Sequence, residues 1–285
     1  MGLFPSKKKD FYICDRGHPH LKKKYYDRFN PSVLGLGDLT ATSIERDAIA
    51  AVFDLQGFTR FCSQSDPQLA VSEFLAAFLD WLFDAVKREN IVAERGPDGK
   101  KLPTHDEDGT LPAYTTLPFF AKFMGDGVLF LWDAAGLTDQ AICSIPSVAI
   151  QICSWYELQF LPTISFEVTD PPSRLRCGIA RGKVFSVGNG EDFVGPCINL
   201  ASRLQKLSSI SMAFARRGFK ADKYMDEHMR NHFALKKVAI RGVGEHELVY
   251  IDKAEFEELS DEERELFREP DEGYLHYKPK EPSSG

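Results

Sequence analysis

Residues 48–55 read AIAAVFDL, followed at once by Gln56-Gly57-Phe58-Thr59. The run is apolar and of strand length, so it predicts a strand buried on both faces. It stops on an acidic residue and a glycine turn. A second stretch shares that grammar: the apolar runs 119–124 and 128–132 flank Gly125-Asp126-Gly127, which predicts a hairpin with a tight turn. If the first strand pairs with this hairpin, Asp54 and Asp126 converge on one edge of a sheet.

Working outward, Asp66-Pro67 reads as an N-cap followed by a proline in the first helical turn. Val71, Phe74, Leu75, Phe78, Leu79, Leu82 and Phe83 then recur at helical spacing over 69–86. Residues 96–118 break every period with repeated Gly and Pro, a longer loop than compact domains usually carry. Downstream, the pattern predicts a helix over about 138–160, bent at or starting near Pro146. A second hairpin is expected from 175–180 and 184–187 around Arg181-Gly182-Lys183. After it come a helix over 197–207, a strand at 210–214 and a helix over 221–232. A last hairpin, 238–241 with 247–251, turns at Gly242-Val243-Gly244, and an acidic helix is expected beyond Glu255. Strands and helices alternate, yet several strand pairs lie too close for parallel crossovers. The fold class is therefore a mixed α/β sandwich, one domain without internal repeats.

The 285 residues are 43% apolar and 27% charged, a globular composition that excludes disordered and fibrous classes. A net charge of −7 argues against a general nucleic-acid binder, which wants a basic face. No apolar run reaches the roughly 18 residues of a membrane span. Six scattered cysteines without a secretory leader read as reduced thiols of a cytoplasmic protein. The first thirty residues form a basic arm, with Lys7-Lys8-Lys9 and Lys22-Lys23-Lys24, and its Cys14, His18 and His20 lack a fourth partner for a metal site.

Two carboxylates forced together repel, and a divalent cation is the usual remedy, with hard oxygen donors favouring magnesium or manganese. The Gly57-Phe58-Thr59 turn presents backbone N–H groups that suit phosphates. Aspartates at turns also serve simply by accepting backbone hydrogen bonds. Asn199 and Arg203, four apart after Gly195-Pro196, share one helix face. There an arginine suits a phosphoryl oxygen and an asparagine a sugar hydroxyl or ring oxygen. Arg241, at the last hairpin's turn, is a further candidate phosphate partner, though a lone turn arginine is more often simply exposed.

FDLQGFT (53–59), KFMGDG (122–127) and DFVGPCINLASRLQ (192–205), in that order, resemble the catalytic domain of class III nucleotidyl cyclases. The resemblance spans about 46–251, between a basic extension (1–45) and an acidic tail (252–285). It implies a ferredoxin-like mixed sheet flanked by helices, in a head-to-tail homodimer. By resemblance, Asp54 and Asp126 hold two Mg²⁺ or Mn²⁺ ions, with the Leu55 carbonyl as an extra ligand. One ion would activate the ribose 3′-hydroxyl and the other clamp the triphosphate. Arg203 would stabilise charge on the α-phosphoryl group and Asn199 would position the ribose. Gly57, Phe58, Thr59 and Arg241 would hold the triphosphate, Arg241 standing where the family has a lysine. The metal aspartates and the Asn199/Arg203 pair would come from opposite chains of the dimer.

Lys122 and Asp192 match the family's base-reading positions. One donor and one acceptor serve adenine and cytosine alike, and a shifted pair serves uracil. The stand-alone cyclase, its basic arm, the 96–118 insertion and the phrase KFMGDGVLFLWD resemble the pyrimidine cyclases of bacterial Pycsar antiphage systems. That resemblance implies cyclic UMP or cyclic CMP made for a separately encoded effector, with UTP preferred to CTP and ATP as the alternative. Phe119, Phe120 or Arg95 would fill the space of a purine's second ring. An inactive binding module of the same fold is disfavoured, because Asp54, Asp126 and Arg203 are all present.

Overall fold

The computed structural model describes residues 42–64, 67–90, 117–207 and 209–271, with two short strands nearer the N-terminus. Those two, β1 (Phe11–Ile13) and β2 (Pro19–Leu21), pair antiparallel. The lysine runs of the basic arm, Cys14, His18, Arg95 and most of the 96–118 insertion lie outside the described residues.

The apolar run forms the core of β3 (Glu45–Gln56), in which every residue from 48 to 55 is buried. Its antiparallel partner β5 (Gly127–Asp133) aligns from Ala48 opposite Asp133 to Asp54 opposite Gly127. β4 (Phe120–Phe123) closes the expected hairpin with β5. On its other side β3 neighbours β6 (Arg174–Val187), which runs parallel to β8 (Met212–Ala215). Outside β8 lie β10 (Gly244–Asp252), β9 (Phe233–Ile240) and the short β11 (Phe267–Arg268), each antiparallel to its neighbour. The sheet is mixed, with the order β11-β9-β10-β8-β6-β3-β5-β4.

Strand alternation separates two faces. Ile49, Ala51, Phe53 and Leu55 enter the main core with Val128, Phe130 and Trp132 of β5 and Leu175, Cys177 and Ile179 of β6. The helices α2 (Pro67–Asn90) and α3 (Asp139–Trp155) cover that face. Phe74 and Phe78 of α2 stack at 5.9 Å, and Phe160 meets both edge-on. The opposite face takes Ala48, Ala50, Val52 and Asp54.

Thr138 caps α3 by accepting from Ala141 N at 3.2 Å, and Pro146 lies inside the helix. The helical course continues through a wide turn, Tyr156–Phe160, into Leu161–Ile164. Tyr156 is fully buried there, and its hydroxyl donates to Pro172 O at 2.5 Å. Tyr156→Phe strands that carbonyl without a donor and is expected to cost about 1–2 kcal/mol, read by chemical denaturation.

Several expectations are corrected. Arg181-Gly182-Lys183 is no hairpin turn: β6 runs straight through it for 14 residues. Gly182 is there for packing, since a Cβ on it would stand 3.3 Å from Cys197 Cβ. The helix expected over 221–232 is two, Ala221–Tyr224 and Glu227–Asn231, because Asp226 caps the second by accepting from Met229 N. The acidic helix beyond Glu255 is likewise split into Lys253–Glu258 and Asp261–Arg264, ahead of β11.

The described residues divide into two compact units, the smaller made of those up to Glu45 together with Phe185–Val194. Within it β7 (Asp192–Val194) pairs with the end of β6, and Ile44 N donates to Ser186 Oγ at 2.8 Å.

Candidate active site

Register places the first two predicted residues together. Asp54, 5% exposed, lies opposite Gly127, and Leu55 N donates to Asp126 O at 2.9 Å. The turn can press so closely only because residue 127 lacks a side chain: a Cβ there would meet Phe53 O at 2.0 Å. After β3 the chain turns through Gly57, at φ 86°, into the single helical turn α1 (Phe58–Phe61). The first amides of such a turn have no acceptor inside it. Asp54, Leu55, Gly57, Phe58, Thr59 and Asp126 all line one open cleft of about 540 Å³. Leu55 is 2% exposed, so only its backbone is available as a ligand.

Three cations line the same cleft and went unrecognised in the sequence: Arg60, Arg176 and Lys206. Arg176 projects from β6 and its Nη2 donates to Asp54 Oδ2 at 2.6 Å, while its buried Nε has no partner. Arg176 sits between the inward residues Leu175 and Cys177, but the same strand also carries Arg174, Arg181 and Lys183, so nothing local singled it out. No ion pair joins Arg60, Lys206 or Asp126 to another described residue.

The donor set fits a hard divalent ion. Two carboxylates face one cleft, and among the described residues no third His, Cys, Asp or Glu joins them as a metal cluster. Oxygen-only donors favour magnesium or manganese over zinc, with phosphate oxygens and water completing the shell. Thiol chemistry is remote: burial pushes the Cys143 and Cys197 thiols up to about 11, and raises those of Cys153 and Cys177 well above the usual range. Such thiols are inert as nucleophiles.

The helix α4 (Pro196–Leu204) buries Cys197, Leu200, Ala201 and Leu204, and leaves Asn199 and Arg203 on its exposed face. It rests directly on β6 at Gly178, where a Cβ would meet Ala201 O at 2.1 Å and Gln205 N at 2.4 Å. Gly178→Ala must therefore lift α4, and is expected to cost about 1–3 kcal/mol in thermal or chemical unfolding. Arg203 reaches the β9–β10 turn: a Cβ on Gly242 would stand 3.3 Å from Arg203 Nη1. Arg203 is thus brought beside the turn that carries Arg241. Neither arginine, nor Asn199, is among the residues lining the carboxylate cleft.

Lys122 is exposed on β4, opposite Leu129, outside the cleft lining. Asp192 is half-buried at the start of β7, and its carboxylate accepts from Phe193 N at 2.8 Å. Phe119 and Phe120 line a separate apolar groove with Phe83, Leu117 and Phe130, not the carboxylate cleft.

No family model matches the sequence, and no curated protein matches it either. Solved structures do. The guanylyl cyclase Cya2 aligns with 74% of this chain and 94% of its own, at 14% identity and a TM-score of 0.51. The adenylyl cyclase CyaB from P. aeruginosa aligns with 74% of this chain and 96% of its own, also at 14% identity and 0.51. The mixed sheet flanked by helices is accordingly the fold of the class III cyclase catalytic domain. Among the described residues no helix is long and apolar enough to cross a membrane.

Proposed function

We propose that the chain is a nucleotidyl cyclase that converts a pyrimidine nucleoside triphosphate, UTP before CTP, to its 3′,5′-cyclic monophosphate and pyrophosphate. The observation that carries the reaction class is the apposition of Asp54 and Asp126 at one cleft, with the Gly57-Phe58-Thr59 turn beside them, in this fold. Residues 46–251 form the catalytic domain in this reading, flanked by the basic extension and the acidic tail.

Asp54, Asp126 and the Leu55 carbonyl would hold two Mg²⁺ or Mn²⁺ ions, which would supply Lewis acidity to the reaction. The amides of Gly57, Phe58 and Thr59 receive phosphate oxygens. Arg203 stabilises the charge that develops on the α-phosphoryl group, and Asn199 orients the ribose so that the 3′-oxygen lies in line. Arg241, on the turn that Arg203 reaches, takes the triphosphate. Arg203 and Arg241 stand off the carboxylate cleft of their own chain, which supports a homodimer in which each chain completes the other's site.

Lys122 and Asp192 read the base. The pyrimidine preference rests on the Pycsar-like sequence character, and with it a cytoplasmic antiphage role in which the cyclic nucleotide activates a separate effector. ATP is the alternative substrate, because a lysine and an aspartate satisfy adenine's edge equally well. Incubating the purified protein with each of the four nucleoside triphosphates and Mn²⁺ decides between them. Cyclic UMP is expected as the main product. Cyclic AMP alone would overturn the pyrimidine reading, and no cyclic product from any triphosphate would overturn the cyclase reading.

A further inference from the structure

The carboxylate cleft carries more positive charge than its two aspartates require. Three cations, Arg60, Arg176 and Lys206, face Asp54 and Asp126, and Arg176 is already engaged with Asp54. Arg60 and Lys206 are the remainder, exposed and bearing no ion pair with any described residue. They come from different elements. Arg60 follows Thr59 in α1, so it extends the turn whose amides suit phosphates. Lys206 lies just past the end of α4, its backbone N–H donating to Arg203 O at 3.1 Å.

That last turn separates two directions. Arg203 reaches the Gly242 turn, whereas Lys206, three residues on, lines the cleft that holds its own chain's carboxylates. Two cations from different elements lining one cleft, neither in an ion pair with a described residue, suit a ligand with several negative charges at one end. A lone carboxylate or a neutral sugar would leave one of them without a partner.

We propose that Arg60 and Lys206 bind the pyrophosphate half of the substrate and retain the pyrophosphate product, within the chain that carries the metal aspartates. This rests on the cyclase reading. In the reaction the 3′-oxygen bonds to the α-phosphorus as the bond from that phosphorus to the bridging oxygen breaks. The bonding pair leaves on the bridging oxygen, and the hydroxyl proton passes to solvent. The negative charge thus gathers on the pyrophosphate, where the two side chains wait. They act as binding residues whose contribution grows as the leaving group departs.

Titration calorimetry with pyrophosphate and Mn²⁺ tests this on the full chain, comparing wild type with Arg60→Gln, Lys206→Met and the double variant. Both positions are exposed, and circular dichroism confirms the fold of each variant. Pyrophosphate affinity is expected to fall severalfold in each single variant and about tenfold or more in the double. Inhibition of cyclisation by pyrophosphate should weaken in parallel. Unchanged pyrophosphate affinity in the double variant, with wild-type cyclisation, overturns the clamp and leaves the cyclase reading standing. A wild-type protein that neither cyclises a nucleotide nor binds pyrophosphate overturns both.

Discussion

Asp54→Asn is expected to lower cyclase turnover by at least about 10³-fold, because in the proposed two-metal site it would remove a charged oxygen ligand where metal and phosphate charge must be balanced. The same variant should lose stability. Asp54 is 5% exposed and its carboxylate faces the Arg176 guanidinium at 2.6 Å, so the amide leaves a largely buried cation half-neutralised. The asparagine oxygen still accepts a hydrogen bond, which holds the expected loss to about 1–3 kcal/mol. Asp126→Asn separates the two effects. Asp126 is half-buried and has no ion pair with a described residue, so its variant should lose turnover to a similar degree with little change in stability. Steady-state cyclisation and chemical denaturation of the two variants provide the comparison. Turnover surviving in either variant would remove the two-metal assignment. Equal stability losses would remove the distinct role given to the Asp54–Arg176 pair.

How far the sequence led depended on whether a residue's role was local. Asp54 and Asp126 were legible because each ends an apolar strand beside glycines, and strand pairing alone brings them together. Asn199 and Arg203 were legible as one helix face for the same reason. Gly182 misled, because a glycine between two charged residues signals a turn as readily as close packing. Only the arrival of α4 on β6, with Cys197 against that position, decides which. Arg60, Arg176 and Lys206 were missed because nothing local marks them. Their place in the cleft depends on the order β6-β3-β5 and on where α4 stops, which no single segment specifies. The pair proposed to read the base lies at the other extreme. Lys122 is on an edge strand and Asp192 on the three-residue β7, and no motif fixes their separation.

Mixing two inactive variants is expected to restore activity, and this follows from where the arginines stand. Arg203→Ala should reduce turnover by about 10²–10³-fold, as loss of a transition-state donor does. Arg203 and Asn199 do not line the cleft of Asp54 and Asp126, so in the proposed homodimer one chain's α4 would serve the other chain's carboxylates. In a symmetric dimer of wild-type chains there are then two equivalent sites. A dimer of one Asp54→Asn chain and one Arg203→Ala chain has one site with both defects and one with neither. Random reassembly makes about half the dimers mixed, each with one of two sites intact, so the mixture should recover about one quarter of wild-type activity. Each variant alone should remain near background. Reassembly after dilution or mild denaturation, followed by measurement of the cyclic product, reads the result directly. A mixture no more active than its components would place carboxylates and arginine in the same chain's site, and the dimeric arrangement would have to be abandoned. Because Gly178 seats α4, a chain carrying both Gly178→Ala and Asp54→Asn should fail to rescue Arg203→Ala. Its own carboxylate is gone, and its displaced α4 would no longer present Arg203 to the partner's cleft.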